Sequence, residues 1–154
     1  MPRQYVDVVE HIDAPAEAVF DRINELGRFN DWNPFPTMDP TTVTSNEGPT
    51  SGVGSVFLYE GRRLGKGRME ITGTERPSRL DVAMTFWTPK PSTSDVVFSI
   101  TPAAAGGVDV HWIVSGEVNV RTWIMGKLFL DKMLANTFLT GLGTLKTLVE
   151  SEIA

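Results

Sequence analysis

Residues 128–149 read LFLDKMLANTFLTGLGTLKTLV. Leu134, Phe138, Leu142, Leu145 and Val149, with Leu128 ahead of them, form an apolar stripe at helical spacing. As one helix from Thr122 to Glu150 the segment would be about 44 Å long at 1.5 Å rise per residue. Gly126, Gly141 and Gly143 each weaken helix propensity by about 1 kcal/mol relative to alanine. The expectation is an early piece over Thr122–Leu134, a bend, and a regular helix from near Asn136. A helix with one apolar face needs a surface to cover.

The chain upstream supplies that surface. Leu80, Val82, Met84 and Phe86 alternate with polar residues, then Val96, Phe98 and Ile100, then Val108, Val110, Trp112 and Val114. This period of two marks strands with one apolar face. Further strands are expected over Tyr5–Ile12, Ser55–Glu60 and Lys66–Thr74, with a frayed edge strand and loop within Pro36–Ser51. The turns GTERPSR and PAAAGG and the loop TPKPST are short, so neighbouring strands are antiparallel. DAPAEAVFDRINEL reads as a helix: Pro15 suits its first turn, Val19, Phe20, Ile23 and Leu26 share a face, and Gly27 is placed as a left-handed cap. The order is strand, one or two short helices, about six antiparallel strands and a long C-terminal helix. The fold class is α+β, a curved sheet of about six or seven strands with that helix on its apolar face. Volume between the two is where a cavity forms.

Residues 26–36, LGRFNDWNPFP, place Phe29, Trp32 and Phe35 where Pro34 and Pro36 forbid a central strand or a long helix. The rings either plug the end of the core or line a cavity.

Composition narrows the function. The 154 residues fit one domain, residues 1–154, that is 41% apolar and 21% charged. No cysteine is present, which removes disulfides, thiolate metal sites and cysteine nucleophiles. With 19 acidic against 14 basic residues and a net charge of −5, no nucleic-acid partner is expected. MPRQYVDVVEHIDAP has no apolar h-region, and no run approaches a membrane span, so the expectation is a cytoplasmic protein without membrane insertion.

Candidate reactive groups are few. His111 falls at the opposite parity from Val110 and Trp112 and should face solvent; His11 lies on the polar face of its strand. Nothing like HExxH is present, and neither a metal nor a cofactor is expected. Glu60, Glu70 and Glu117 fall on strands, Glu70 facing outward and paired across strands with Arg68 or Arg79. Glu10 shares parity with Val8 and Ile12 and is the one weak catalytic candidate, as an inward acid. Asp131 and Lys132 lie early in the final helix. The glycines of SGVGSVF and GRRLGKG lack the GK[ST] ending of a phosphate loop. Met69, Met84, Met125 and Met133 read as core filler, though flexible thioethers suit a pocket for varied apolar ligands.

Several strings carry a family resemblance across essentially the whole chain: IDAPAEAVFDRI, FNDWNPF, GKGRMEIT followed by ERPSRL, VDVHWIVSGE, and LDKMLANTFLTGLGTLKTL. With this element order, the chain resembles the START-like helix-grip (SRPBCC) superfamily, in its small bacterial polyketide cyclase/dehydrase-like branch. The resemblance implies a deep, largely apolar pocket between sheet and helix for a lipid, polyketide or similar hydrophobic molecule. None of the strings is a catalytic motif. The lining residues expected are Trp32, Phe35, Met84, Phe86, Phe98, Trp112, Leu134 and Phe138. The first function is binding of a small hydrophobic ligand. The alternatives are a cyclase/dehydratase-like enzyme using the same pocket, and a protein-interaction or co-chaperone-like module. The chain is expected to be a monomer or weak homodimer.

Overall fold

A computed structural model describes the backbone over residues 2–86, 92–117 and 120–153, with side chains over 6–86, 93–116 and 132–153. Seven strands and three α-helices are present among the described residues. Strand β1 (Pro2–Ile12) leads through Pro15 into helix α1 (Ala16–Asn24), whose Val19, Phe20 and Ile23 are buried. A 3₁₀ segment (Leu26–Asp31) and one turn of helix, α2 (Phe35–Met38), follow. Strands β2 (Val43–Glu47), β3 (Val56–Gly61), β4 (Gly65–Glu75), β5 (Arg79–Phe86), β6 (Ser92–Pro102) and β7 (Val108–Glu117) come next, and helix α3 (Val120–Ile153) ends the chain.

The strands form one antiparallel sheet in the order β1-β7-β6-β5-β4-β3-β2. The short connections make each strand from β2 to β7 the neighbour of the next, while β1 crosses over to pair with β7. β2, within the Thr-rich segment expected at an edge, is one edge of the sheet, and β1 is the other. The sheet curves around α3, which packs mainly along β1, while α1 covers part of β5 and β6. This is the α+β helix-grip arrangement expected from the periodicity and the resemblance.

Alternation delivers the core. Leu80, Val82, Met84, Val96, Phe98, Ile100, Val108, Val110, Trp112 and Val114 are all buried on the inner face. From α3 they meet Phe138, Leu142, Leu145 and Val149, each at most 3% exposed. Leu128 of the expected stripe has its side chain outside the described residues, as have Met125, Glu117 and Asp131; most of the TPKPST loop lies outside them altogether.

Two local expectations need correction. The expected bend after Leu134 is absent: α3 is a single helix of 34 residues, about 51 Å at 1.5 Å per residue. Tertiary burial of its stripe outweighs the propensity cost of the glycines. Gly141 serves close packing, since a Cβ there would stand 2.9 Å from Cγ of Pro34. Nor is Gly27 a left-handed cap. α1 stops at Asn24, and Gly27 lies inside the 3₁₀ segment without a positive φ. Its amide donates to the Thr50 carbonyl at 2.9 Å, and a Cβ would lie 2.6 Å from Cγ2 of Thr50. Close approach of a loop, rather than backbone conformation, explains this glycine.

Candidate functional site

The register lays the inner face out in rows. One row runs Val8, Trp112, Phe98, Leu80 across β1, β7, β6 and β5. Another runs Ser94, Met84, Met69, Phe57 across β6 to β3, and beyond it Phe86, Gly67, Tyr59. Phe98 and Trp112 are therefore cross-strand partners, with ring centroids 4.9 Å apart. Helix α3 lowers Phe138 onto Trp112 of this pair from the inner face of the sheet. Its ring stacks on Trp112 at 4.1 Å with an interplanar angle of 6°.

The segment after α1 inserts three more rings into the same layer. Phe29, Trp32 and Phe35 are at most 3% exposed. Phe29 meets Trp32 edge-on at 4.7 Å and Phe57 at 4.8 Å, and Trp32 reaches Trp112 at 5.8 Å and Phe98 at 6.0 Å. The 3₁₀ turn and the Pro34–Pro36 pair bring these rings inward at short spacing. Asn33 supports them by accepting the Phe35 amide proton at 2.9 Å and donating to Asn30 at 3.0 Å. Edge-to-face pairs of this kind contribute about 0.5–1.5 kcal/mol each beyond area burial. The segment thus belongs to the core layer itself, wedged between sheet and helix.

Of the eight residues expected to line a pocket, Trp32, Phe35, Phe98, Trp112 and Phe138 join this network of rings. Met84 is buried two strand positions further toward the end where α3 begins, and Phe86 and Leu134 at that end are partly exposed. Leu64, in the β3–β4 turn, also packs partly exposed against the core. Tyr59 was not singled out by spacing, although the alternation Phe57, Tyr59 continues the pattern of the later strands. It is 4% exposed, its ring is 5.2 Å from Phe35, and burial pushes its phenol well above the usual range.

Glu10 lies opposite Val110 on the inner-face parity and is half-buried. Among the described residues it has no hydrogen-bond or ion-pair partner. The histidines take the outer face. His11 pairs with Asp109 at 3.1 Å and His111 with Asp7 at 3.0 Å, both across β1 and β7. Glu70 faces outward against Arg68 at 2.7 Å, Glu60 and Lys132 are exposed, and Met69 is core while Met133 is exposed. Among the described residues no group of three or more His, Cys, Asp or Glu side chains converges to hold a metal. Among the described residues no helix is long and apolar enough to cross a membrane.

The most buried carboxylate among the described residues is structural. Asp39, 1% exposed, accepts from the hydroxyl of Thr41 at 2.5 Å and its amide at 3.0 Å, and from the amides of Arg63 at 2.7 Å and Leu64 at 3.1 Å. The Thr41 hydroxyl and these amides hold its carboxyl well below the usual range. It ties the α2–β2 connection to the β3–β4 turn, beside Leu64. A surface groove of about 610 Å³ lies elsewhere, between Asp13–Ala16, Gly107–Val108 and Ile153. It is open to solvent and holds none of the aromatic network.

The solved structures similar to this chain share the fold at low identity. A protein of Chromobacterium violaceum is 14% identical with a TM-score of 0.68, over 96% of this chain and 98% of that one. Norcoclaurine synthase of Thalictrum flavum, as a point mutant in complex with a transition state analogue, is 9% identical with a TM-score of 0.74, over 100% and 98%. DynU16, from the dynemicin biosynthetic locus, is 16% identical with a TM-score of 0.64, over 96% of this chain and 47% of that one. No curated protein matches the sequence significantly. The model of the family described as polyketide cyclase / dehydrase and lipid transport matches residues 3–150. With the sheet, the gripped helix and a match over nearly the whole chain, the protein belongs to the polyketide cyclase / dehydrase and lipid transport family.

Proposed function

We propose that the chain binds a small hydrophobic molecule, a lipid, polyketide or similar compound, between the inner face of the sheet and α3. The observation that carries this reading is the aromatic layer around the Trp112–Phe138 stack, continued by the partly exposed Phe86, Leu64 and Leu134. Those rim residues leave apolar surface where an entering ligand would gain about 25 cal/mol per Å² buried, less the cost of ordering. Membership of a lipid-transport and polyketide cyclase family supports the same ligand class. Trp32, Phe35, Met84, Phe86, Phe98, Trp112, Leu134 and Phe138 form the proposed lining.

The test is intact mass spectrometry of freshly purified protein, first native and then denaturing. A reproducible added mass that is released on denaturation is expected. Trp112→Ala and Phe138→Ala, each checked for retained fold by circular dichroism, should lower the fraction carrying it. Unchanged loading in both folded variants would refute this lining.

Glu10 favours a second reading, a cyclase/dehydratase-like enzyme. A half-buried carboxylate without a partner on the inner face is suited to moving a proton for a bound substrate. Glu10→Gln should then abolish a pH-dependent turnover that wild type shows; equal turnover in the variant removes Glu10 from that role. No observation favours an interaction module. The exposed large apolar residues among the described ones, Val9, Val43, Val53, Met133, Leu139 and Ile153, are spread over β1, β2, the β2–β3 loop and α3.

A further inference from the structure

Two hydrogen-bond donors are buried in the aromatic layer without acceptors. Trp32 and Trp112 are 2% and 1% exposed, and the indole Nε1 of each lacks a hydrogen-bond partner. They come from distant parts of the chain, the end of the 3₁₀ segment and the middle of β7, yet their rings stand 5.8 Å apart at 69°. The neighbours named by ring contact are themselves aromatic: Phe29 and Phe98 for both, with Phe138 stacked on Trp112.

The rings in contact with the two indoles are phenylalanines, which bring no donor. A buried N–H without an acceptor forfeits the hydrogen bond it makes with water in the unfolded chain. Two such donors on neighbouring rings cost stability in the ligand-free protein, a cost that an occupant bearing an acceptor would offset. Contact with a ring face is the weaker alternative open to them. The donors are neutral, and among the described residues no cationic side chain joins the ring network, while Glu10 on the nearby inner face is acidic. An anionic ligand is therefore disfavoured. The parallel stack of Trp112 and Phe138 suits a flat molecule.

Building on the binding reading above, we infer that the ligand is a neutral, flat, apolar molecule with a carbonyl or phenolic oxygen, and that the indole N–H groups of Trp32 and Trp112 receive this oxygen. Entry repacks the rings that now close over the donors. The two tryptophans thereby select oxygenated ring systems over plain hydrocarbons.

The test compares 9-fluorenone with fluorene, which share a shape and differ by one carbonyl oxygen. Each is titrated into the full ¹⁵N-labelled chain, and the indole signals of its four tryptophans are followed by ¹H–¹⁵N correlation spectra. Trp32→Phe and Trp112→Phe assign the two signals of interest. The expected result is binding of fluorenone about tenfold or more tighter than fluorene, against the order of their hydrophobicity. A downfield shift of the Trp32 or Trp112 indole proton should occur with fluorenone alone. In Trp112→Phe the preference should fall toward unity. Equal affinities and no downfield shift in wild type would overturn the inference while leaving the binding reading standing, with the ring faces serving as acceptors. Failure of both compounds to bind would overturn the binding reading and the inference with it. The wild-type comparison needs no variant to fold.

Discussion

Gly67 sits between two aromatic neighbours on the inner face, opposite Tyr59 on β3 and Phe86 on β5. Its backbone has no positive φ, so conformation does not demand glycine there. Space does. A Cβ would lie 2.2 Å from Cζ of Tyr59 and 2.3 Å from its hydroxyl oxygen, because the Tyr59 ring lies across the glycine. Gly67→Ala must therefore expel a side chain that is 4% exposed and packs on Phe35. Losing the burial of an aromatic side chain costs about 1.5–3 kcal/mol, and its ring pair about 0.5–1.5 kcal/mol more. Replacing glycine inside a strand returns about 0.5–1 kcal/mol. The expected net destabilisation is about 1–4 kcal/mol, built on those ranges. Removing the ring first inverts the sign: in a Tyr59→Ala background, Gly67→Ala should stabilise by about 0.5–1 kcal/mol. A double-mutant cycle by urea unfolding should then give a coupling of at least about 2 kcal/mol, because the glycine contribution cancels and the loss of ring burial and ring pair remains. Additivity to within about 0.5 kcal/mol would refute the ring-over-glycine packing, because Gly67→Ala would then cost the same with and without Tyr59.

Two further perturbations test other contacts. Asp39 has a carboxyl held below its unfolded range by Thr41, Arg63 and Leu64, so its contribution is complete above about pH 4–5 and is lost as pH falls below that. Asp39→Asn should lower the urea midpoint at neutral pH, and the gap to wild type should narrow on acidification; a gap independent of pH would refute this account. Arg22, 7% exposed, joins α1 to the end of α3 through Glu152 at 2.5 Å and reaches Asp31 at 3.6 Å. Glu152→Gln should cost more than Asp31→Asn, both within about 1 kcal/mol because the acids are well exposed, and hydrogen exchange should accelerate in the last turns of α3; the reverse order would refute the assignment of Glu152 as the main partner.

Much of the fold was legible from local periodicity. The alternation through Leu80, Phe98 and Trp112 placed those side chains on one face, since a strand alternates its sides whatever it packs against. The stripe Phe138, Leu142, Leu145, Val149 placed a helix against that face for the same kind of reason. The outward placement of His111 and Glu70 followed from the same parity, though Glu70 pairs with Arg68 two residues back on its own strand and not across strands as expected.

What spacing could not decide were matters of distance between remote segments. Helix propensity argued for a bend in α3, but the burial that holds one helix over Val120–Ile153 comes from residues far away in sequence. Gly27, Gly67 and Gly141 look alike in sequence; only the positions of Thr50, Tyr59 and Pro34 show that each makes room for a neighbour. Asp39 reads as a loop aspartate until Arg63 and Leu64 arrive with their amides. The aromatic residues of 26–36 announced an apolar cluster, and their two possible roles stayed open because a ring needs cover and the sequence does not name it. The tertiary structure put Trp32 beside Trp112 and surrounded both with rings, so two indole donors that any loop or edge would leave in water are enclosed without an acceptor. Periodicity is a property of the local backbone, whereas hydrogen-bond satisfaction depends on what the rest of the chain brings within about 3 Å.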